Sequence, residues 1–270
     1  MSKNDSKVAV SIIMPCYNSE RFIGEAIRSV VSQSFTNWEL LICDDGSSDN
    51  SVSIIKCWAA TDSRIRPVCN DIGKGAPSAR NSCLRHAEGR YIAFLDSDDR
   101  WMSQKLEIQL AQFRKENVVF SFSDYTCINE HGSAFRNVQA PMRVGFKHLL
   151  LSNYIGCLTA IYDSQYFGKV EQPQIKKRND YALWLVMFRR FPDAYAVSIP
   201  ESLAEYRVNS YGLSSNKLDL IRYYWRCIRQ YGGTSTLVSA LLLPCYLILI
   251  SLKKIWPNGY NQLVRFKESR

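Results

Sequence analysis

The sequence predicts an α/β protein with a mostly parallel, Rossmann-like sheet flanked by helices. The first half of the 270-residue chain alternates short apolar runs with stretches whose apolar residues recur at helical spacing. This alternation is typical of parallel sheets, because strands buried on both faces read as continuous apolar runs. Two acidic clusters directly follow such runs, at the sheet edge where ligands bind in this fold class.

Five strands and four helices are expected before residue 129. The apolar runs that predict the strands are 8–14, 38–43, 64–69, 91–95 and 118–126. The helical periods are 22–31, 51–60, 77–88 and 101–116. Pro77 is placed to begin the third helix and Gly89 to end it.

The alternation of strand and helix signals is less regular in the second half of the chain. It predicts a loop or hairpin over 132–145, a helix over 180–191, a strand pair over 194–208, a basic helix over 217–230 and an apolar segment over 237–252. We therefore expect an α/β domain over 1–212, with halves of about 1–127 and 128–212. A helical region over 213–270 would follow it.

The chain is basic, with 34 Lys and Arg against 25 Asp and Glu and a net charge of +9. Such an excess favours an anionic partner, although a merely soluble basic surface is the simpler interpretation. The basic residues form no stripe interleaved with aromatic residues and no recognised module, so nucleic acid is not expected as the partner. Nine Cys without a metal-binding pattern and a polar segment at 1–7 indicate a reducing, cytoplasmic setting.

The main chemical signal is the cluster Asp96-Ser97-Asp98-Asp99 at the end of the fourth predicted strand. Carboxylates one residue apart at a strand end can both turn toward one divalent cation, and hard oxygen ligands suit Mg²⁺ or Mn²⁺. Taken alone, the cluster also fits a turn or the N-cap of the next helix.

Two further polar segments follow the first two strands. Asp44 and Asp45 precede Gly46 and could accept hydrogen bonds from a base or a ribose, or could simply form an acidic turn. Tyr17, which follows Pro15, could stack on a base or fill the core.

Taken together and in this order, these segments resemble family 2 glycosyltransferases of the GT-A fold. The matching stretches are 10–18 (VSIIMPCYN), 38–49 (WELLICDDGSSD), 79–81 (ARN) and 87–99 (AEGRYIAFLDSDD). The resemblance is strong across roughly the first half of the chain and thinner beyond it. It implies an inverting, metal-dependent transfer of one sugar from a nucleotide sugar, with a uridine diphosphate sugar as the default donor.

The resemblance also implies roles for individual residues. Asp98 would ligate Mn²⁺ or Mg²⁺, and Asp96 would contact the metal, its water shell or the ribose. The other residues expected to bind the nucleotide sugar are Pro15, Tyr17, Asn18, Asp44, Asp45, Arg80 and Ser97. For Asp99 the alternatives are a contact with the sugar and a cap of the next helix.

Residues 177–185 (KRNDYALWL) resemble the family segment that carries the catalytic base, with Asp180 at the matching position. Many relatives have Gln or Glu where Asn179 stands, which leaves the supporting contacts open. An N-cap of the following helix is the structural alternative for Asp180. Residues 206–208 (YRV) and 213–217 (LSSNK) also resemble a segment near the active site, so Arg207 and Lys217 are candidates for diphosphate contacts or for a solvated basic loop.

The apolar segment 237–252 is shorter than the roughly 20 residues of a spanning helix and contains Pro244. We expect an in-plane or shallowly inserted helix on an anionic membrane, with Lys253, Lys254, Trp256 and Arg265 meeting head groups. The alternatives are a core helix and a helix packed across a homodimer. By analogy with the family that the motifs resemble, a basic chain that touches the cytoplasmic membrane suggests an acceptor linked to polyprenyl diphosphate, or one of lipopolysaccharide type, in bacterial surface polysaccharide synthesis.

Other functions fit the sequence less well. Gly73-Lys74-Gly75 lacks the third glycine of a dinucleotide-binding loop and does not open the first helix. The Gly-rich basic loop of a nucleotidyltransferase is missing after the first strand. The remaining alternative is an inactive glycosyltransferase-like scaffold that binds a nucleotide sugar or a partner enzyme.

Overall fold

The structure is a computed structural model that describes residues 8–115, 117–208 and 217–256, without the side chains of residues 217, 218 and 254. The strands are β1 (Val10–Cys16), β2 (Trp38–Asp44), β3 (Ile65–Val68), β4 (Tyr91–Phe94), β5 (Arg100–Trp101), β6 (Phe120–Ile128), β7 (Ala134–Val138), β8 (Arg143–Gly145), β9 (Ile161–Asp163) and β10 (Tyr195–Arg207). The α-helices are α1 (Ile23–Val31), α2 (Ser51–Thr61), α3 (Ala76–His86), α4 (Lys105–Gln112), α5 (Phe146–Leu151), α6 (Ser164–Phe167), α7 (Asn179–Arg190), α8 (Lys217–Arg226) and α9 (Thr236–Ile255). A 3₁₀ turn covers Cys157–Thr159, and a π-helical turn covers Cys227–Tyr231.

The strands form one mixed sheet in the order β3-β2-β1-β4-β9-β6-β10-β5, with β7 paired to β6 and β8 to β10. The pairs β1–β2, β2–β3, β1–β4 and β6–β10 are parallel. Strand β9 lies antiparallel between β4 and β6 and so joins the two parallel groups. The α/β fold class predicted from the sequence is therefore confirmed, with antiparallel strands added in the second half.

Two hydrophobic clusters make up the core. One packs α1 against β1 and β2, with Ile12, Ile27 and Leu40 fully buried. The other is aromatic and surrounds α7, where the Trp184 and Phe120 rings meet edge to face at 5.2 Å. Because α7 is buried from Tyr181 to Leu185, its first turn is fixed against the sheet.

The predicted boundaries were wrong in two places. Trp101 does not begin a helix, because it pairs with Ala204 in the short strand β5 and its indole Nε1 donates to the Leu158 carbonyl at 2.8 Å. The strand pair expected over 194–208 is the single strand β10. Its pairing with β6 shifts register on both sides of Ser202, close to Pro200, which has no N–H to donate to the ladder.

Helix α9 is longer than the apolar segment that predicted it. The Ser235 side chain caps its N-terminus by accepting from the Val238 N–H at 3.2 Å, and Pro244 lies within the helix. Over Thr236–Lys253 it is long and apolar enough to cross a membrane by length and composition, and only 11% of that stretch is buried. This exposure argues against the core-helix alternative.

A buried polar network holds the edge at which β1, β2 and β4 begin. The Ser11 hydroxyl donates to Glu39 Oε1 at 2.6 Å, and Glu39 also accepts from the Glu88 N–H at 2.7 Å. The Gly89 N–H donates to Ser11 Oγ at 2.8 Å. A Cβ atom on Gly89 would lie 2.5 Å from the Ser11 backbone nitrogen, so only glycine fits at this crossing.

We therefore expect Gly89→Ala to lower the free energy of unfolding by about 1–3 kcal/mol, the usual cost of overpacking. Gly24→Ala is the matched control, because a Cβ on Gly24 in α1 would meet nothing within 4 Å. That variant should be neutral or gain about 0.5–1 kcal/mol. Urea denaturation of both variants measures the difference, and equal stabilities would contradict the packing account.

Candidate active site

The candidate site is a cleft of about 710 Å³ at the carboxyl ends of β4, β6 and β10. Its walls come from the segment after β4, the 3₁₀ turn, the loop before α7, and helices α8 and α9. Five carboxylates line it, from Asp96, Asp98, Asp99, Asp180 and Asp219. The structure thus brings together the acidic cluster after β4 and the residue expected as the base, although 81 residues separate Asp99 from Asp180 in the chain.

Arg80 connects the two sides of this cleft. It is buried on α3, and its Nη2 forms an ion pair with Asp96 Oδ1. Its Nη1 donates to Asn179 Oδ1 at 3.1 Å and to Gln172 Oε1 at 3.2 Å. Burial lowers the pKa of the guanidinium, but the Asp96 carboxylate raises it, and the net pKa lies above the ordinary value.

Asp99 is the most buried carboxylate of the acidic cluster. It accepts a hydrogen bond from the Arg207 N–H at 2.8 Å. Burial raises its pKa well above the usual range, and the charges of Asp98 and Asp96 raise it further. This environment fits a residue that positions the segment after β4 better than one that contacts the sugar.

The cluster can hold a divalent cation, because the mutual repulsion of these carboxylates is relieved when a cation lies beside them. Within the described ranges, no group of three or more His, Cys, Asp and Glu side chains forms a complete protein cage for a metal. One or two carboxylates with open positions for phosphate oxygens is the arrangement that Mg²⁺ commonly adopts. Asp98 and Asp96 fit that arrangement.

Asp180 lies in the first turn of α7, after Asn179. The N-cap position belongs to Arg178, whose φ of 61° is left-handed, so the N-cap alternative for Asp180 was wrong. Burial raises the pKa of the carboxyl group. Hydrogen bonding opposes this effect, since Asn153 Nδ2 donates to Asp180 Oδ2 at 3.0 Å.

The segments after β1 and β2 form a separate polar loop pair. Asp44 accepts from the backbone N–H groups of Gly46 and Ser47 at 3.0 and 2.9 Å, so its carboxylate stabilises the turn. Asp45 accepts from Asn70 Nδ2 at 2.8 Å and from the Gly75 N–H at 2.7 Å. Both carboxylates thus shape the loops, as the acidic-turn alternative predicts.

Tyr17 is 61% exposed beside this loop, which excludes the core alternative and leaves its ring available for stacking. It follows the buried end of β1, which contains Pro15. Asn18 has a φ of 46° and accepts from the Ser48 N–H at 2.8 Å, so it joins the two loops. Ser97 is buried, and its hydroxyl shares a 2.7 Å hydrogen bond with Ser19.

Arg207 lines the cleft, but its guanidinium is bound by protein groups. It donates to the Asp98 carbonyl and pairs with Glu25, both at 2.8 Å, and it also reaches the Glu130 carbonyl at 2.9 Å. The expected diphosphate contact stays a prediction, and the geometry favours a role in holding the segment after β4. Lys217 begins α8, and its side chain lies outside the described residues, as do residues 213–216 and Arg265.

Sequence reasoning missed Asn153 and the cationic side of the cleft. Asn153 lies between α5 and the 3₁₀ turn and reaches Asp180 only through tertiary packing. Lys176 and Lys253 line the cleft from the loop before α7 and from the end of α9. The run of three basic residues at 176–178 is the sequence signal for this side of the cleft.

The model of the family described as Glycosyl transferase family 2 matches residues 11–168 of the chain. The chain belongs to this family. It is a glycosyltransferase with the GT-A fold, as the resemblance of its motifs implied.

Two relatives are similar over most of their length. The chain is 40% identical over 222 residues to the UDP-Glc:alpha-D-GlcNAc-diphosphoundecaprenol beta-1,3-glucosyltransferase WfgD of Escherichia coli, covering 82% of this chain and 86% of that one. It is 37% identical over 225 residues to the putative teichuronic acid biosynthesis glycosyltransferase TuaG of Bacillus subtilis, covering 83% and 88%.

Solved structures share the fold at low sequence identity. S. aureus TarS 1–349 in complex with UDP-GlcNAc superposes with a TM-score of 0.68 at 20% identity, covering 96% of this chain and 77% of that one. The mannosyltransferase PcManGT of Pyrobaculum calidifontis, in complex with GDP-Man and Mn²⁺, gives a TM-score of 0.63 at 15% identity, covering 96% and 79%.

We expect Asn153→Ala to raise the pKa of Asp180 above its already elevated value. The variant loses a hydrogen bond that favours the charged carboxylate, while the burial that disfavours it remains. Carbon-13 NMR of the Asp180 carboxyl group across a pH titration measures the change. Asn137→Ala, on the exposed strand β7, is the control and should leave the titration midpoint of Asp180 unchanged. A lower pKa of Asp180 in Asn153→Ala would contradict the hydrogen bond from Asn153 to Asp180.

Proposed function

We propose that this chain transfers one sugar, with inversion, from a UDP-sugar to a glycan linked to polyprenyl diphosphate at the cytoplasmic face of a bacterial membrane. The observation that carries the proposal is the single cleft in which Asp180 faces the Asp96–Asp98 pair across Arg80. It provides a base on one side and a site for the donor diphosphate on the other.

The nature of the donor and acceptor is supported by the relatives. The relative WfgD is named for UDP-Glc as donor and for an acceptor on undecaprenyl diphosphate, and TuaG is named for teichuronic acid synthesis. UDP-glucose is therefore the first donor to test. The exposed Tyr17 ring and the loop that carries Asp44 and Asp45 would bind the uridine part of the donor.

In the proposed reaction Asp180 takes the proton of the acceptor hydroxyl. The acceptor oxygen forms a bond to the anomeric carbon from the face opposite the diphosphate. The bond from that carbon to the diphosphate oxygen breaks, and its electron pair leaves with the nucleoside diphosphate. One displacement inverts the anomeric centre. A buried carboxylate with a raised pKa is a stronger base than an exposed one, which suits this step.

Asp98 and Asp96 would hold Mn²⁺ or Mg²⁺, which supplies positive charge against the leaving diphosphate. The Arg80 guanidinium orients Asp96 through their ion pair. The same guanidinium bonds Asn179 in the first turn of α7 at 3.1 Å. The donor side and the base therefore keep a fixed relation to each other.

Helix α9 would attach the chain to the membrane in the plane of the bilayer surface. Leu237, Leu241, Ile248 and Ile255 are 58–81% exposed and recur at helical spacing on one face. Ser239 and Tyr246 are buried on the opposite face, against the protein. A helix held to the domain along its length presents one apolar face to lipid, which favours the in-plane arrangement over a spanning one.

Two variants should separate donor binding from transfer. Asp98→Ala should weaken donor binding in Mn²⁺ by at least about tenfold, with little change when a chelator is present. Asp180→Asn should bind donor normally but lose on the order of 10²–10⁴ in transfer rate, as expected for a general base. Release of nucleoside diphosphate from a panel of nucleotide sugars, with Mn²⁺, Mg²⁺ or chelator, measures both effects.

The same panel tests the scaffold alternative. If no donor releases nucleoside diphosphate, with or without lipid-linked acceptor, a scaffold that only binds donor would be favoured. If Asp180→Asn transfers normally, the base lies elsewhere.

The membrane proposal predicts that Leu241→Glu/Ile248→Glu lowers flotation with anionic liposomes by roughly tenfold, because the charges must enter the interface. Met102→Glu, beside β5, replaces another exposed apolar residue and is the control, because α9 packs against α5, α8 and the π-helical turn instead. If the unchanged chain stays at the bottom of the gradient and elutes as a dimer that Leu241→Glu/Ile248→Glu dissociates, the homodimer alternative would be correct.

A further inference from the structure

The cleft has a cationic side that the reaction described above does not use. Lys176 and Lys177 line it from the loop before α7, together with Arg178, and Lys253 lines it from α9. The carboxylate of Asp219 also faces this side. We propose that Lys176, Arg178 and Lys253 form a site for the diphosphate of the lipid-linked acceptor, separate from the donor diphosphate site at Asp96 and Asp98. This inference rests on the proposed function.

The register of α9 turns Lys253 toward the cleft. Ser239, Tyr246 and Lys253 recur every seven residues, so they lie on one face of the helix. Ser239 and Tyr246 are buried against the protein, and Lys253 continues that face to the cleft. Leu241, Ile248 and Ile255 lie on the opposite, exposed face. One helix therefore presents a cation to the cleft and apolar side chains away from it.

The loop that carries the other cations is fixed against α9. Arg178 Nη2 donates to the Tyr246 hydroxyl at 2.7 Å, and the Tyr246 ring stacks on the Tyr224 ring of α8 at 3.7 Å. Lys177 is neutralised by Asp219, whose Oδ2 lies 2.7 Å from its Nζ. Lys176, Arg178 and Lys253 are the further cations on this side of the cleft, and Asp180 is the carboxylate whose charge lies close to Arg178.

The placement of these cations suits a diphosphate that is attached to both a sugar and a lipid. Arg178 is two residues from Asp180, so a diphosphate bound here would hold the first acceptor sugar beside the base. The lipid chain would leave the cleft along α9, whose exposed face is apolar. Guanidinium and ammonium groups bind phosphate oxygens with strong, charge-assisted hydrogen bonds. The Asp96, Asp98 and Asp99 side of the cleft is acidic and would repel the same diphosphate in the absence of a cation.

The test is direct binding of farnesyl diphosphate, a short soluble lipid diphosphate, to the full chain. Saturating UDP and Mn²⁺ would occupy the donor side. We expect Lys176→Ala/Lys253→Ala to weaken this binding by at least about tenfold, since two charge-assisted contacts are removed. UDP affinity should stay unchanged. Lys56→Ala on the exposed face of α2 is the control, and its binding should match the natural chain. Farnesyl diphosphate that binds all three proteins equally, or none of them, would overturn the inference.

A kinetic comparison then separates this site from the proposed function. The same sugar is offered on a lipid diphosphate and on a neutral alkyl glycoside. The double variant should lose about tenfold or more in kcat/KM on the diphosphate acceptor, through KM, and little on the neutral one. An equal loss on both acceptors would mean that the lysines act on the fold or the donor, and would overturn the inference. If the natural chain transfers to no acceptor yet binds farnesyl diphosphate through these lysines, the proposed function fails and the binding site stands.

Discussion

The ion pair between the buried Arg80 and the partly exposed Asp96 is the interaction on which the rest of the cleft depends. Arg80 is only 5% exposed, and its guanidinium bonds Asp96 after β4, Asn179 at the start of α7, and Gln172. Removing Asp96 would leave the Arg80 charge buried without its ion-pair partner, whereas Asp96 is 34% exposed and would be partly solvated if Arg80 were removed. The pair therefore constrains α3, the end of β4 and the first turn of α7 together.

This arrangement explains why charges of one sign can be concentrated at the end of β4. Asp96, Asp98 and Asp99 lie within four residues, and burial together with the charges of Asp98 and Asp96 raises the pKa of Asp99. Arg80 balances Asp96, while Arg207 contributes its backbone N–H to Asp99 and its guanidinium to the Asp98 carbonyl. The protein thereby fixes the backbone of the cluster and leaves the Asp98 carboxylate on the wall of the cleft, where a cation can reach it.

The sequence predicted the parallel strands of the first half because strands buried on both faces must be apolar throughout. It failed where tertiary pairing decides the structure. Trp101 has the spacing of a helical residue but belongs to β5 because Ala204 pairs with it, and β10 continues through register shifts where a strand pair was expected. The carboxylates after β4 could be found because strand ends mark the ligand edge of such sheets.

The contacts around Asp180 could not be predicted from the sequence, because tertiary packing creates them. The position of Asp180 came from a resemblance to family members and not from its surroundings. Asn153 precedes it by 27 residues and lies in no regular element, so no periodicity connects the two. Lys253 reaches the cleft only because α9 packs back against the domain through Tyr246.

Asp180, the proposed base, and the apolar helix α9 are connected through Arg178. This residue holds a left-handed backbone conformation at the start of α7, which costs a non-glycine residue roughly 1–2 kcal/mol and persists only where surrounding contacts maintain it. The hydrogen bond to Tyr246 and the stacking of Tyr246 on Tyr224 are such contacts. A displacement of α9 must either break the Arg178–Tyr246 bond or move Arg178 with it. Because Asp180 follows two residues later in the same turn, the Arg178–Tyr246 bond adds to the packing of α7 against the sheet in orienting the carboxylate. A membrane that orders α9 would thus strengthen one of the contacts that hold the proposed base.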